Sequence, residues 1–168
     1  MPHPAHPAHR RVRDAAARKG VEIEVVTFEE STHTAPEAAR AVGAELAQIV
    51  KSLVFVAPDE AAGQLRGYLV LVGGADRVDL ARLAAVTREP AIRRATAREA
   101  GDLTGFSIGG IPPLGHARAL RTVMDPGLQR FPTVWAAAGT ANAVFEVSPS
   151  TLHMLADATL APIAEDAR

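Results

Sequence analysis

The chain has 168 residues, 48% of them apolar but only 4% aromatic, with a formal net charge of −1. That length suits one domain whose core is built from Ala, Val, Leu and Ile, and the near-neutral balance argues against a sequence-reading DNA-binding module. With no cysteine, a thiol nucleophile, a CxxC redox pair and Cys-based zinc are excluded, and a disulfide-stapled scaffold is disfavoured. No apolar run reaches membrane length and no apolar leader opens the chain, so a cytoplasmic protein without membrane or DNA partners is expected.

Residues 2–9 are a Pro/His repeat and read as a leader without fixed structure, which sets the expected organisation as residues 1–10 leader and residues 11–168 one domain. A first helix is expected over 11–19, stopped by Gly20, and a strand over 21–27. Thr34, Pro36 and Glu37 form a helix start, with Gly43 as the stop. Residues 49–56 are a β-branched apolar run suited to a strand buried on both faces. After a polar, turn-like stretch over 58–67, residues 68–72 return as its hairpin partner. Asp79 can cap a short helix. Thr96 and Glu99 form a capping box for another helix, stopped at Gly101. Residues 118–124, 133–138 and 143–147 read as three strands, and Ser148-Pro149 opens a last helix. Hairpins mixed with helices predict an α/β chain of the α+β type: a mixed, strongly curved, mainly antiparallel sheet or partial barrel with helices outside.

Chemistry concentrates in two places. Residues 105–116 crowd four glycines and two prolines into twelve positions. Such a loop either packs as a tight connection or aims several peptide N–H groups at one point, where they bind phosphate, carboxylate or a developing oxyanion. Pro112 and Pro113 carry no N–H, so the donors must be Gly109, Gly110 and Ile111 on one side or Leu114 and Gly115 on the other. The second place is Lys51. Of the eighteen Lys and Arg residues only Lys19 and Lys51 are lysines, and Lys51 stands inside an apolar strand. It either guards a sheet edge or offers a compact ammonium to a phosphate or ester carbonyl.

No Gly-x-Ser-x-Gly elbow and no HExxH pair accompanies them. His33 and His116 flank turns, where a loop-anchoring role competes with general base. Arg93, Arg94 and Arg98 cluster, and an exposed face is favoured over contact with RNA phosphates. A cation facing a donor nest, with no side-chain nucleophile, suits a polarised carbonyl next to a phosphodiester.

Ile49-Val50-Lys51-Ser52-Leu53-Val54 resembles the lysine-bearing strand of the YbaK/prolyl-tRNA-synthetase-associated domain family. Gly109-Gly110-Ile111-Pro112-Pro113-Leu114-Gly115 resembles its Gly-x-x-x-Pro loop, with Gly109 and Pro113 in the defining places. His33-Thr34, the segment from Gly74 to Leu83 and the segment from Ala137 to Val147 fit the same layout, so the resemblance spans residues 21–163. It implies that family's fold and trans-editing activity: hydrolysis of the ester joining a wrong amino acid to a transfer RNA, cysteinyl-tRNA(Pro) first and alanyl-tRNA(Pro) second. It further implies Lys51, Gly109, Gly110 and Ile111 at the reaction centre, with the loop amides on the carbonyl and Lys51 on the tRNA 3′ end. Ser52, His33, Pro113, Leu114, Gly115 and His116 are the expected substrate contacts. No metal or cofactor is implied, and prolyl-tRNA synthetase is the partner candidate in trans. The sequence departs from the family at Pro112, where serine is common, and at Ser52, where Thr or Asn is expected. A module that binds the same RNA end or a small metabolite without turnover is the alternative.

Overall fold

The computed structural model describes residues 6–29 and 34–166. In chain order the elements are α1 (Pro7–Arg18), β1 (Val25–Thr27), α2 (Ala35–Val42), β2 (Val50–Asp59), β3 (Gln64–Gly73), α3 (Leu80–Thr87), β4 (Arg93–Arg94), α4 (Ala97–Thr104), β5 (Arg121–Met124), β6 (Val134–Ala137), β7 (Ala143–Val147), α5 (Pro149–Ala156) and β8 (Thr159–Leu160). Short 3-10 turns, Leu46–Gln48 and Pro126–Arg130, lead into β2 and follow β5.

The β2–β3 hairpin organises the rest. Its register runs from Val50 opposite Gly73 to Asp59 opposite Gln64, so Pro58 and residues 64–67 extend the strands instead of forming the turn expected there. The hairpin lies within a five-stranded sheet of order β4-β2-β3-β5-β8, where β3–β5 and β5–β8 are parallel. A second, antiparallel sheet has the order β1-β7-β6. An isolated bridge between Ile49 and Trp135 joins the two. The architecture is mixed α/β as expected, but the sheets do not close into a barrel.

Period-two alternation explains the layering. Val54, Val56, Leu69 and Leu71 enter the larger core with α1, α5 and the three-stranded sheet. Phe55, Ala57, Val70 and Val72 enter a smaller core on the opposite face, under Leu83 of α3. The apolar run of β2 is therefore buried on both faces from Val54 to Ala57.

Helix starts follow their caps. The side chains of Thr34, Asp79, Thr96 and Ser148 each accept the N–H three residues on. Two boundaries differ from expectation. α4 passes through Gly101 and ends at Gly105, whose φ of 77° supplies the left-handed cap; the extra turn buries Leu103 and Thr104. α1 begins at Pro7, not near Arg11, because His6 caps it, its Nδ1 accepting the Ala8 N–H at 3.0 Å. Ala8, His9, Val12, Ala15 and Ala16 form its buried face.

Candidate active site

The sheet edge creates the site. β4 pairs only with Phe55 and Val56 of β2, and Ile49 is bridged to Trp135, so the stretch between lies open along that edge. The Val54 carbonyl accepts from the Ala95 N–H at 2.9 Å. Main-chain polar groups alternate along a strand, so the N–H and C=O of Ser52 point to the same open edge. The gap is a cavity of about 220 Å³ walled by Ala35, Ala38, Ala137 and Ala143, with Ile49 and Trp135. It is smaller than the roughly 300–1,000 Å³ of ordinary ligand pockets and admits only a small group.

Lys51 and Ser52 both line this cavity. Lys51 is half-buried, and its Nζ donates to the Asp76 main-chain carbonyl; a turn in which the Asp76 N–H bonds the Gly73 carbonyl puts that acceptor in reach. Burial holds the ammonium below its ordinary pKa. The charge of Asp76 acts against this, and Arg94 and Arg77 add to it. Ser52 Oγ is buried without a hydrogen-bond partner.

The Gly/Pro loop divides in two. The Gly110 N–H bonds the Ser107 carbonyl at 3.0 Å, and Gly109 at the third position has φ 96°, the pattern of a type II turn that favours glycine there. Gly109 and Ile111 line the cavity, and among the described residues their amides meet no acceptor. Gly110 does not join them as a free donor, contrary to expectation, because the turn consumes its N–H. Its role is packing: a Cβ there would lie 2.6 Å from the Thr140 backbone. Thr140 is itself fixed, accepting from His9 Nε2 at 2.7 Å and donating to Asn142 Oδ1 at 2.8 Å. Asn142 in turn donates to the Phe28 carbonyl at 2.9 Å.

The second half of the loop faces away. Pro113, Leu114, Gly115 and His116 line a separate cleft with Ala15, Arg18 and Lys19 of α1 and its end. His116 Nε2 donates to the Pro112 carbonyl at 2.7 Å, and burial lowers its pKa despite that bond. The structure therefore does not bring these four expected substrate contacts to the Lys51 cavity. His33 lies outside the described residues; its neighbour Thr34 caps α2 and lines the cavity.

Sequence reading missed two contributors. His9, assigned to the leader, supports the turn under Gly110, and the His6-Pro7 helix start was the signal for it. Arg94 is exposed, as expected, but it also lines the cavity, which was not foreseen, and its guanidinium lies 5.7 Å from the Phe55 ring centre. Among the described residues no Asp, Glu or His lines the cavity, and no group of three or more His, Cys, Asp or Glu is placed to hold a metal. Among them, too, no helix is long and apolar enough to cross a membrane.

The cavity thus offers two free amide donors, one anchored ammonium and an orphan hydroxyl, an arrangement able to bind a polarised carbonyl. A curated relative, the uncharacterized protein YwhH of Bacillus subtilis, is 31% identical over 131 residues, covering 78% of this chain and 80% of that protein. A solved structure described as a "putative trans-editing enzyme for prolyl tRNA synthetase" superposes with a TM-score of 0.87 at 44% identity, covering 97% of this chain and all of the other. Another, of the hypothetical protein APE2540, gives 0.82 at 28% identity over 92% of this chain and 99% of its own. Residues 29–155, which contain both Lys51 and the Gly109 turn, match the aminoacyl-tRNA editing domain, and the chain belongs to that family.

Proposed function

We propose that this protein hydrolyses the ester of a mischarged aminoacyl-tRNA, acting in trans to prolyl-tRNA synthetase through one domain, which takes in α1 from Pro7 and so begins before the expected residue 11. The single observation that carries the reading is the pair of unpartnered amides, Gly109 and Ile111, at a small cavity shared with Lys51. A water adds to the ester carbonyl carbon, and the oxygen that becomes negative faces those two N–H groups. Collapse breaks the bond between the acyl carbon and the ribose oxygen; that oxygen takes up a proton, and free amino acid and tRNA leave. One preorganised oxyanion donor is worth roughly 10²–10³ in rate, which suits an already activated ester. Lys51, held by the Asp76 carbonyl, faces the anionic RNA end.

Alanine walls favour a small side chain, and a synthetase pocket separates substrates differing by one methylene by only about 1–3 kcal/mol, so a second sieve has a purpose. Cysteine is the first candidate and alanine the second, because the orphan Ser52 hydroxyl offers a partner to a thiol that a methyl group cannot use. One competing reading is a module that holds the aminoacyl end without turnover, because among the described residues no Asp, Glu or His lines the cavity as a general base.

A deacylation panel of mischarged tRNAs decides between them. Cysteinyl-tRNA(Pro) is expected to lose its amino acid fastest. Gly109→Ala, strained at φ 96°, is expected to lower kcat/KM about 10²-fold, and Lys51→Ala to raise KM. Binding without acceleration over buffer selects the non-catalytic module, and full activity of Lys51→Ala removes the lysine from the site.

A further inference from the structure

β4 has only two residues, and they do opposite things. The Arg93 guanidinium makes a two-pronged contact with Glu99, at 2.8 and 2.9 Å, and the Glu99 carboxyl is correspondingly held down to about 2. Successive strand residues point to opposite faces. Arg94 therefore lies on the other side of the ribbon, where its guanidinium sits over the Phe55 ring. Phe55 shares its face of β2 with Leu53 and Lys51, two and four positions back. The Arg94 side chain thus runs along the face that carries the lysine, and both line the same cavity.

Among the described residues, Arg94 has neither an ion pair nor a side-chain hydrogen bond. It is exposed at the cavity mouth, and like charge couples it to Lys51. Two cations at one cavity mouth repel each other, with Arg77 adding to the repulsion and, among the described residues, Asp76 opposing it. Stability alone gives no reason for that grouping. An anion between them relieves it, and a planar guanidinium next to a compact ammonium matches the oxygens of a phosphodiester.

We propose that Arg94 is a substrate-binding residue that forms, with Lys51, a two-cation clamp on a phosphodiester near the RNA 3′ end. The clamp rests on the editing reading for its ligand, but it requires binding only. The cation–π contact with Phe55, 5.7 Å from the ring centre, favours a guanidinium already on this face when phosphate arrives. Arg93 is excluded from the clamp by its pairing with Glu99.

The test measures the affinity of the full chain for uncharged tRNA(Pro) across a salt series, for wild type, Arg94→Gln, Arg94→Lys and Arg93→Gln. Hydrolysis of cysteinyl adenosine, an ester without phosphate, is followed in parallel. Arg94→Gln is expected to weaken tRNA binding about tenfold and to reduce the log–log salt slope by about 0.7, one single-strand phosphate contact. Arg94→Lys is expected to keep the slope and part of the affinity, and Arg93→Gln to keep both together with wild-type adenosine ester hydrolysis. An unchanged slope in Arg94→Gln overturns the clamp, as does an equal loss in Arg93→Gln. If wild type binds RNA through Arg94 yet hydrolyses neither cysteinyl adenosine nor cysteinyl-tRNA(Pro), the clamp stands and the deacylase reading falls.

Discussion

The two halves of the Gly/Pro loop have similar composition and opposite fates. Gly109 and Ile111 bring unpartnered amides to the cavity, whereas Pro113, Leu114, Gly115 and His116 line a separate cleft against α1. Gly115 turns the chain at φ 82° with its Cα against α1, where a Cβ would meet the Arg11 carbonyl at 3.4 Å. His116 closes the rear half onto the Pro112 carbonyl. The lesson is a division of labour: anchoring the rear half keeps the front half's donors fixed before any substrate arrives, which is what electrostatic preorganisation needs. Substitutions in front should cost rate, and those behind should cost stability.

Gly110 and Gly115 test that division most severely. At Gly110 an added methyl group collides with Thr140 backbone at 2.6 Å, and backbone cannot yield as a side-chain end can. Displacing the turn by about an ångström is enough to cost about 10²-fold in rate, so Gly110→Ala is expected to lose about that much kcat/KM. Gly115→Ala meets ordinary contact distances and pays only for positive φ, about 1 kcal/mol. It is expected to lower the urea midpoint while keeping kcat/KM within a few-fold. Equal kinetic losses in the two variants would erase the distinction between front and rear.

Much of this was legible in the residues. The Thr96-Glu99 and Thr34-Glu37 boxes marked helix starts, and the apolar run around Val54 marked a strand buried on both faces. Lys51 and Gly109 were identifiable by residue type and order. Which loop amides stay free was not, because it depends on the turn that spends the Gly110 N–H on Ser107 and on how closely Gly110 packs against Thr140, 30 positions away in sequence. Arg94 was hidden for a similar reason: only the pairing of β4 with Phe55 and Val56 decides which of two adjacent arginines turns toward the lysine.

Ser52 gives a smaller and more selective test of the front half. A buried hydroxyl without a partner costs the folded state about 1–3 kcal/mol, so Ser52→Ala is expected to leave stability unchanged or slightly raised. If the hydroxyl meets the substrate's thiol, the same variant narrows the preference for cysteinyl- over alanyl-tRNA(Pro) by about tenfold. Loss of stability with unchanged preference would make Ser52 a packing residue.

The rear half has the smallest expected effect, and it is a matter of pH. Burial holds His116 below its ordinary pKa of 6.5, so the unfolded chain takes up a proton first as pH falls. Stability from this group is fully present above about 6.5 and is lost as pH drops toward the folded-state value. His9 has the same sign, from burial and then from His6 and Arg13, whereas Glu99 acts in a separate window between 4.5 and about 2. One histidine contributes at most about 1.4 kcal/mol per pH unit. His116→Gln keeps a donor for the Pro112 carbonyl and removes the titration. The fall in urea midpoint between about pH 7.5 and about pH 5.5 should therefore shrink in this variant and persist in part through His9. An identical fall in wild type and variant would mean that His116 is as solvated in the fold as in the unfolded chain, and the rear anchor would then rest on Gly115 and α1 alone.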